Sequence, residues 1–367
     1  MRAAEAAILL PFSSKALTTS MPSWHAGRRR GMRLEMSTNA LDSPAAPPST
    51  LGFSFSPGGL LFHWPLGVAK ALQDQQLLTP LTPIAGASAG ALACAVLGCG
   101  IDVDAAVRAA DRLCLDCREN GTRGRLRGLL ADLLDDILPE DAHERLTRRP
   151  GVVGVAVTPL LPWPRGVVVD SFSSRADVLE CLVASCAVPL WFSGGLAVRC
   201  RNAPTVDGFF ASPWRHFGAP QLPAAAAAAT VRVSAFPAGL VGLAPEPLPW
   251  GEDAEEEGVE GEKGAAARDK GSVGVICPRP RGEDGAAHLS ALLEMALNPG
   301  DPTALEALYD DGYRTGAEWA KRHGHRLVKL GQARIAAATI EENAAVKEAI
   351  GDEASPPQEF EARRFVW

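Results

Sequence analysis

The chain has 367 residues, 47% of them hydrophobic and 22% charged, enough apolar material for a sizeable core and too much for a disordered protein. A net charge of −7 speaks against the concentrated basic surface that nucleic-acid binding requires. No run of 18 apolar residues occurs, so no segment reads as a membrane-spanning helix and membrane contact is expected only at the interface.

Residues 1–50 stand apart. Arg2, Lys15, Arg28, Arg29, Arg30 and Arg33 outnumber Glu5, Glu35 and Asp42 among many Ala, Ser, Thr and Pro residues. An acid-poor, Arg- and Ser-containing start resembles an organellar transit peptide, so a plastid location is expected. The alternative is an ordinary disordered tail on a cytoplasmic protein associated peripherally with a membrane or lipid droplet. Ser43–Thr50 reads as the linker into a catalytic domain over 51–248.

Leu51–Phe55 predicts a strand, and His63–Gln76 a helix, with the Gly-rich turn Ser56-Pro57-Gly58-Gly59-Leu60-Leu61 between them. Such a turn presents backbone N–H groups at a helix N-terminus, where negative charge is stabilised. The turn lacks the Gly-Lys-Ser/Thr ending of a phosphate-binding loop. An oxyanion hole is the better reading, with donors from Gly58, Gly59 and Leu60. The pentapeptide Gly86-Ala87-Ser88-Ala89-Gly90 follows the apolar run Pro83-Ile84-Ala85 and opens a helix over Ala91–Leu97. A serine on a tight strand-to-helix turn projects its hydroxyl clear of the sheet, and Gly86 and Gly90 permit the bend. Ser88 is therefore the candidate nucleophile.

Gly151–Thr158 and Gly166–Val169 predict two strands split by a Pro-containing turn, and Ser173–Cys186 a helix capped by Ser173 or Ser174. Val231–Phe236 predicts another strand, while the Ala224–Ala229 run carries no chemistry. An acidic, Gly-rich insert is expected over 249–272, a C-terminal strand and helices over 273–350 (near 286–297, 303–322 and 332–350), and a tail over 351–367. The eight cysteines are scattered among apolar neighbours and read as reduced thiols. Cys114 and Cys117 form a lone Cys-x-x-Cys without a second ligand pair, so no metal is assigned.

A general base for Ser88 has two possible sources. His143, His216, His288, His323 and His325 follow Ser88, but none lies on a short loop after a convincing strand with an acid placed earlier. Asp207, in Ala203-Pro-Thr-Val-Asp-Gly208, sits at the turn after a short apolar strand, where a carboxylate can take a serine proton directly.

A Gly-rich loop after the first strand, Gly-x-Ser-x-Gly about thirty residues on and a late Asp-Gly together resemble the patatin-like phospholipase family. The branch that includes adipose triglyceride lipase is the nearest in look. Phe53-Ser-Phe-Ser-Pro-Gly-Gly59, Val168-Val-Asp-Ser-Phe-Ser-Ser174, Leu182-Val-Ala-Ser-Cys-Ala-Val-Pro189 and Val233-Ser-Ala-Phe-Pro237 extend the likeness over about 51–240, with an echo at Leu308-Tyr-Asp-Asp-Gly-Tyr313. The resemblance implies an α/β/α three-layer sandwich with a mostly parallel central sheet and C-terminal helices. It implies Ser88 as nucleophile, Asp207 as base, Gly58 and Gly59 as oxyanion donors, and hydrolysis of lipid esters at a membrane or droplet surface without a cofactor. A catalytically weak lipid- or partner-binding relative is the alternative. Pro57 stands where a first glycine is usual, and Phe209 where many members carry a second one. Leu60, Leu61, Phe62, Trp64, Trp191 and Phe192 are candidates for an acyl groove or interface rim, although Leu60 and Leu61 fit a core role better.

Overall fold

The computed structural model describes residues 49–245, 274–279 and 285–324. Residues 1–48 of the transit-like segment, the whole acidic insert, the helix expected over 332–350, the tail and His325 lie outside them. The chain begins with β1 (Ser49–Phe55), α1 (His63–Asp74), β2 (Ile84–Ala87) and α2 (Ala89–Cys99). Three helices follow: α3 (Val103–Asn120), α4 (Leu126–Ile137) and α5 (Ala142–Thr147). Next come β3 (Val153–Pro159), β4 (Val167–Val169), α6 (Arg175–Ser185), β5 (Val198–Cys200) and β6 (Ala203–Val206). Then come β7 (Ala227–Val233), α7 (Ala238–Val241), β8 (Val275–Ile276), α8 (Gly285–Leu297) and a helix α9 over 302–324.

The strands form one sheet in the order β5-β6-β3-β2-β1-β7-β8, with β4 also paired to β3. β1 runs parallel to β2 and β7, β2 to β3, and β7 to β8, while β4, β5 and β6 join antiparallel. The architecture is a mixed α/β sandwich built on a mostly parallel sheet. Parallel strands are buried on both faces, which explains the near-continuous apolar runs in β2 and β3. Phe53 and Phe55 point from β1 into the main core. On the opposite side Ser54 Oγ donates to the Pro220 carbonyl, and Gly52 lies under Leu222.

The sequence analysis assigned no elements between Gly100 and Gly151, where α3, α4 and α5 lie. The buried positions of α3 are Val103, Ala106, Ala109, Ala110, Cys114 and Cys117, a helical spacing carried by small side chains opposite a charged face. Asp102 caps α3 by accepting from the Ala105 N–H. Ser174 caps α6 in the same way, accepting from Asp177 N–H, while Asp177 accepts from the Ser173 N–H. β7 begins inside the alanine run, four residues before the expected strand.

α9 packs against α1 through glycine. A Cβ at Gly67 would fall 2.2 Å from the Tyr309 carbonyl oxygen, and one at Gly312 2.1 Å from that of Trp64. Trp64 Nε1 donates to Asp311, and Trp319 meets Phe53 edge-on at 5.9 Å. All eight cysteines are free thiols, and seven are buried. Burial pushes the Cys114 thiol up to about 12 and raises Cys117, so neither favours the thiolate that metal or redox chemistry uses.

Candidate active site

Parallel strands aim their carboxyl ends at one edge of the sheet, and β2 delivers Ser88 there directly. Ser88 has φ 53° and ψ −126°, a strained backbone for a residue with a Cβ. Two close approaches hold the turn. A Cβ at Gly86 would lie 2.2 Å from the Gly90 carbonyl oxygen, and a Cβ at Gly90 would lie 2.2 Å from that of Phe55. The strand–turn–helix context expected at this pentapeptide is therefore present, with α2 starting at Ala89 rather than Ala91.

Asp207 follows β6 and is 1% exposed. Its N–H donates to the Ala187 carbonyl, its own carbonyl accepts from Thr158 Oγ1, and its Oδ1 accepts from the Phe209 N–H at 2.8 Å. Oδ2 is buried without a hydrogen bond of ordinary geometry among the described residues. The carboxyl is pushed up to about 7, chiefly by burial; the Phe209 N–H and the Ser88 hydroxyl oppose the shift. The groups acting on this carboxyl include the nucleophile and no histidine. Gly208 lets the turn pass under β3, since a Cβ there would fall 2.2 Å from the Ala156 carbonyl oxygen.

Sequence reasoning missed Ser185, the last residue of α6. Its hydroxyl donates to the Ala156 carbonyl at 2.7 Å and accepts from the Ser88 N–H at 2.9 Å, with no exposure. It also lies 3.0 Å from the Cβ position of Gly208. One side chain thus ties the nucleophile turn, β3 and the Asp207 turn together. The signal available was a lone serine on an otherwise apolar helical face, which reads as a satisfied core hydroxyl. Cys186, its neighbour, also interacts with the Ser88 hydroxyl, and burial keeps its thiol protonated.

The Gly-rich loop lies beside this pair. No backbone acceptor among the described residues takes the Gly58 or Gly59 N–H. Leu60 departs from the expected donor set: its N–H donates to the Ala296 carbonyl at 2.9 Å. The last carbonyls of a helix lack intrahelical donors, and Leu60 satisfies one at the end of α8. Gly59 has φ +55°, and a Cβ there would fall 2.3 Å from the same Ala296 oxygen.

An apolar cavity of about 100 Å³ leads from Ser88 between α2, α3 and α4. Leu60, Phe62, Trp191 and Phe192 line it, as do Leu92, Leu113, Leu130 and Leu134. Leu61 and Trp64, in contrast, are core residues at 0% and 1% exposure. None of the six forms an exposed rim.

Residues 53–217 match the family described as patatin-like phospholipase. This chain carries a patatin-like phospholipase domain. It is 28% identical over 173 residues to omega-hydroxyceramide transacylase of Mus musculus, covering 45% of this chain and 28% of that protein. It is also 28% identical over 162 residues to 1-acylglycerol-3-phosphate O-acyltransferase PNPLA3 of Homo sapiens, covering 42% and 33%. The chain thus spans about a third of the length of the curated relatives it matches. VipD from Legionella pneumophila overlays with a TM-score of 0.42 at 14% identity, over 76% of this chain and 68% of that one. The patatin-like assignment accounts for the Gly-rich loop, the Gly-x-Ser-x-Gly turn and the Asp-Gly turn, all of which fall inside the matched residues.

Proposed function

We propose that this chain is a lipid acyl hydrolase that cleaves carboxylic esters through an acyl-serine intermediate. The observation that carries the reading is that the Ser88 hydroxyl acts on the buried Asp207 carboxyl while Ser88 also lines an apolar cavity. In this mechanism Ser88 Oγ attacks the ester carbonyl while its proton passes to Asp207. The Gly58 and Gly59 N–H groups bond the oxygen that becomes negative. Collapse expels the lipid alcohol, which takes the proton back from Asp207. Water, deprotonated by the same carboxylate, then attacks the acyl-serine and releases the fatty acid. A carboxyl titrating near neutrality suits both proton transfers.

Acyl transfer is the second reading, and the names of the transacylase and acyltransferase relatives favour it. The same acyl-serine would then be attacked by a lipid alcohol instead of water. Purified protein incubated with phospholipid, galactolipid and triacylglycerol, with and without an alcohol acceptor, separates the two by product. Free fatty acid in both conditions supports hydrolysis, and acylated acceptor at the expense of free acid supports transfer. The Ser88→Ala variant should form neither product. An absence of turnover together with failure of an acyl-serine probe to label Ser88 would instead support the weak, lipid- or partner-binding alternative.

A further inference from the structure

Two of the eight thiols meet beside the hairpin that leads to the candidate base. Cys181 lies on α6 and Cys200 ends β5, and their sulfur atoms are 3.8 Å apart. Both are buried, Cys181 at 0% and Cys200 at 4% exposure. The sulfurs of a disulfide stand about 2.0 Å apart, so closure asks for an approach of less than about 2 Å.

One stripe of α6 explains the contact. Asp177, Cys181 and Ser185 are spaced four residues apart and share a face on three successive turns. Asp177 accepts from Arg201 through both carboxylate oxygens, each at 2.8 Å. Cys181 meets Cys200, and its Sγ also lies 3.7 Å from Asp177 Oδ1. Ser185 holds the Ser88 N–H and the Ala156 carbonyl of β3.

The facing hairpin is built to present Cys200 to that stripe. β5 buries Val198 and Cys200 and exposes Arg199. Cys200 pairs with Ala203 across Arg201 and Asn202, whose φ values of 44° and 66° make a tight two-residue hairpin turn. Arginine is strained in this region, and its bonds to Asp177 and to the Ser171 carbonyl hold the turn in place. From there β6 runs directly to Asp207.

The two sulfurs are not equivalent. A hydrogen bond from Cys181 favours the Cys200 anion and Arg201 adds to it; burial, Glu180 and Asp177 oppose it, and the Cys200 thiol is lowered overall. The bond to Cys200 and burial push the Cys181 thiol up, so it keeps its proton. Cys200 is the attacking sulfur. It also sits on the edge strand of the sheet, where local opening admits a small oxidant.

We infer that Cys181 and Cys200 are a redox site, closing to a reversible disulfide under peroxide and fastening the hairpin that leads to Asp207 onto α6. The Cys200 thiolate attacks one oxygen of hydrogen peroxide, the O–O bond breaks, and the hydroxide released takes up a proton as water, leaving a sulfenic acid. The Cys181 sulfur then attacks the Cys200 sulfur, the S–O bond breaks, and hydroxide departs with the Cys181 proton as a second water. Two thiols lose two electrons, and one peroxide is reduced to two waters. A dithiol reductant reverses the bond.

The test treats the full chain with a small excess of hydrogen peroxide, alkylates the remaining thiols, and maps cross-linked peptides by mass spectrometry. A Cys181–Cys200 cross-link that dithiothreitol removes is expected. The bond closes a loop of about 20 residues, so the melting temperature should rise by roughly 5–10 °C, and amide exchange over 198–206 should slow. Cys181→Ala and Cys200→Ala should each abolish both the cross-link and the rise, while the wild-type map stands without them. Oxidation at other cysteines with Cys181 and Cys200 left as thiols would overturn the inference, as would a cross-link formed only in denaturant. A cross-linked chain that melts at or below the reduced one would also overturn it, because the bond would then distort the hairpin instead of fastening it.

Discussion

Replacing Asp207 with Asn should inactivate the chain and stabilise it, with the gain set by pH. Burial raises the carboxyl from an ordinary 3.8 to about 7. Each pH unit of such a shift is worth about 1.4 kcal/mol, so the whole displacement amounts to roughly 4 kcal/mol. The sign follows from proton counting. Between pH 4 and pH 7 the folded chain retains a proton that the unfolded chain has released, so stability falls as pH rises through that window. Below pH 4 both states are protonated and there is no cost; above pH 7 the full cost is present. Asparagine does not titrate, and its side-chain oxygen can still accept from the Phe209 N–H as Asp207 Oδ1 does. The neighbouring Cys186 thiol stays neutral throughout, so it adds no slope. Asp207→Asn should therefore melt with the wild type near pH 4 and about 10 °C above it at pH 8, taking about 2–4 °C per kcal/mol for a domain of this size. Thermal melts at half-unit pH steps give the curve. In parallel, wild-type kcat/KM should rise about tenfold per pH unit up to about pH 7 and then level, as the free base ionises. Parallel melting of the two proteins from pH 4 to 8, or a flat kcat/KM over pH 5 to 8, would refute a buried carboxylate base.

Four further outcomes follow from the same geometry. Ser185→Ala leaves the Ser88 N–H buried and unpaired, so a loss of about 1–3 kcal/mol in unfolding free energy is expected, with slower labelling of Ser88 by an acyl-serine probe and partial rescue by Ser185→Thr. Gly59→Ala should cost at least about 1–2 kcal/mol from its positive φ alone, more from the clash with Ala296. Gly58→Ala, whose nearest neighbour would be 3.8 Å away, should change stability by only about 0.5 kcal/mol in denaturant titrations. Leu133→Phe narrows the cavity and should shift preference toward shorter acyl chains by about tenfold in relative kcat/KM, read from a chain-length series of esters.

The residues of the candidate site were legible in the sequence because their signals are local. Gly86 and Gly90 around Ser88, and Asp207 before Gly208, are bends whose residue types follow from backbone sterics. β1, β2, β3 and α6 were legible from apolar runs and caps. What escaped depends on contacts distant in sequence. α3 buries an Ala- and Cys-lined face and α4 a leucine one, and the two supply much of the cavity wall. Leu60 was expected among the oxyanion donors together with its neighbours Gly58 and Gly59. Its N–H is instead committed to a carbonyl 236 residues later, which no local pattern encodes. The interface rim was sought among Trp64, Trp191 and their neighbours, since aromatic content alone does not distinguish a cavity wall from an exposed edge. Among the described residues the exposed tryptophans are Trp163 and Trp214.

The bond from Leu60 to Ala296 also bears on where the working unit ends. The family match stops at Phe217, yet the loop at Gly58-Gly59 is braced from α8, and Leu297 closes part of the cavity wall. α9 in turn clasps α1 through Gly67 and Gly312. A fragment cut at the end of the family match would keep Ser88 and Asp207 while losing the brace on the loop beside them. The smallest piece worth expressing therefore runs at least through α9. The region past the match packs on the candidate site rather than standing apart from it.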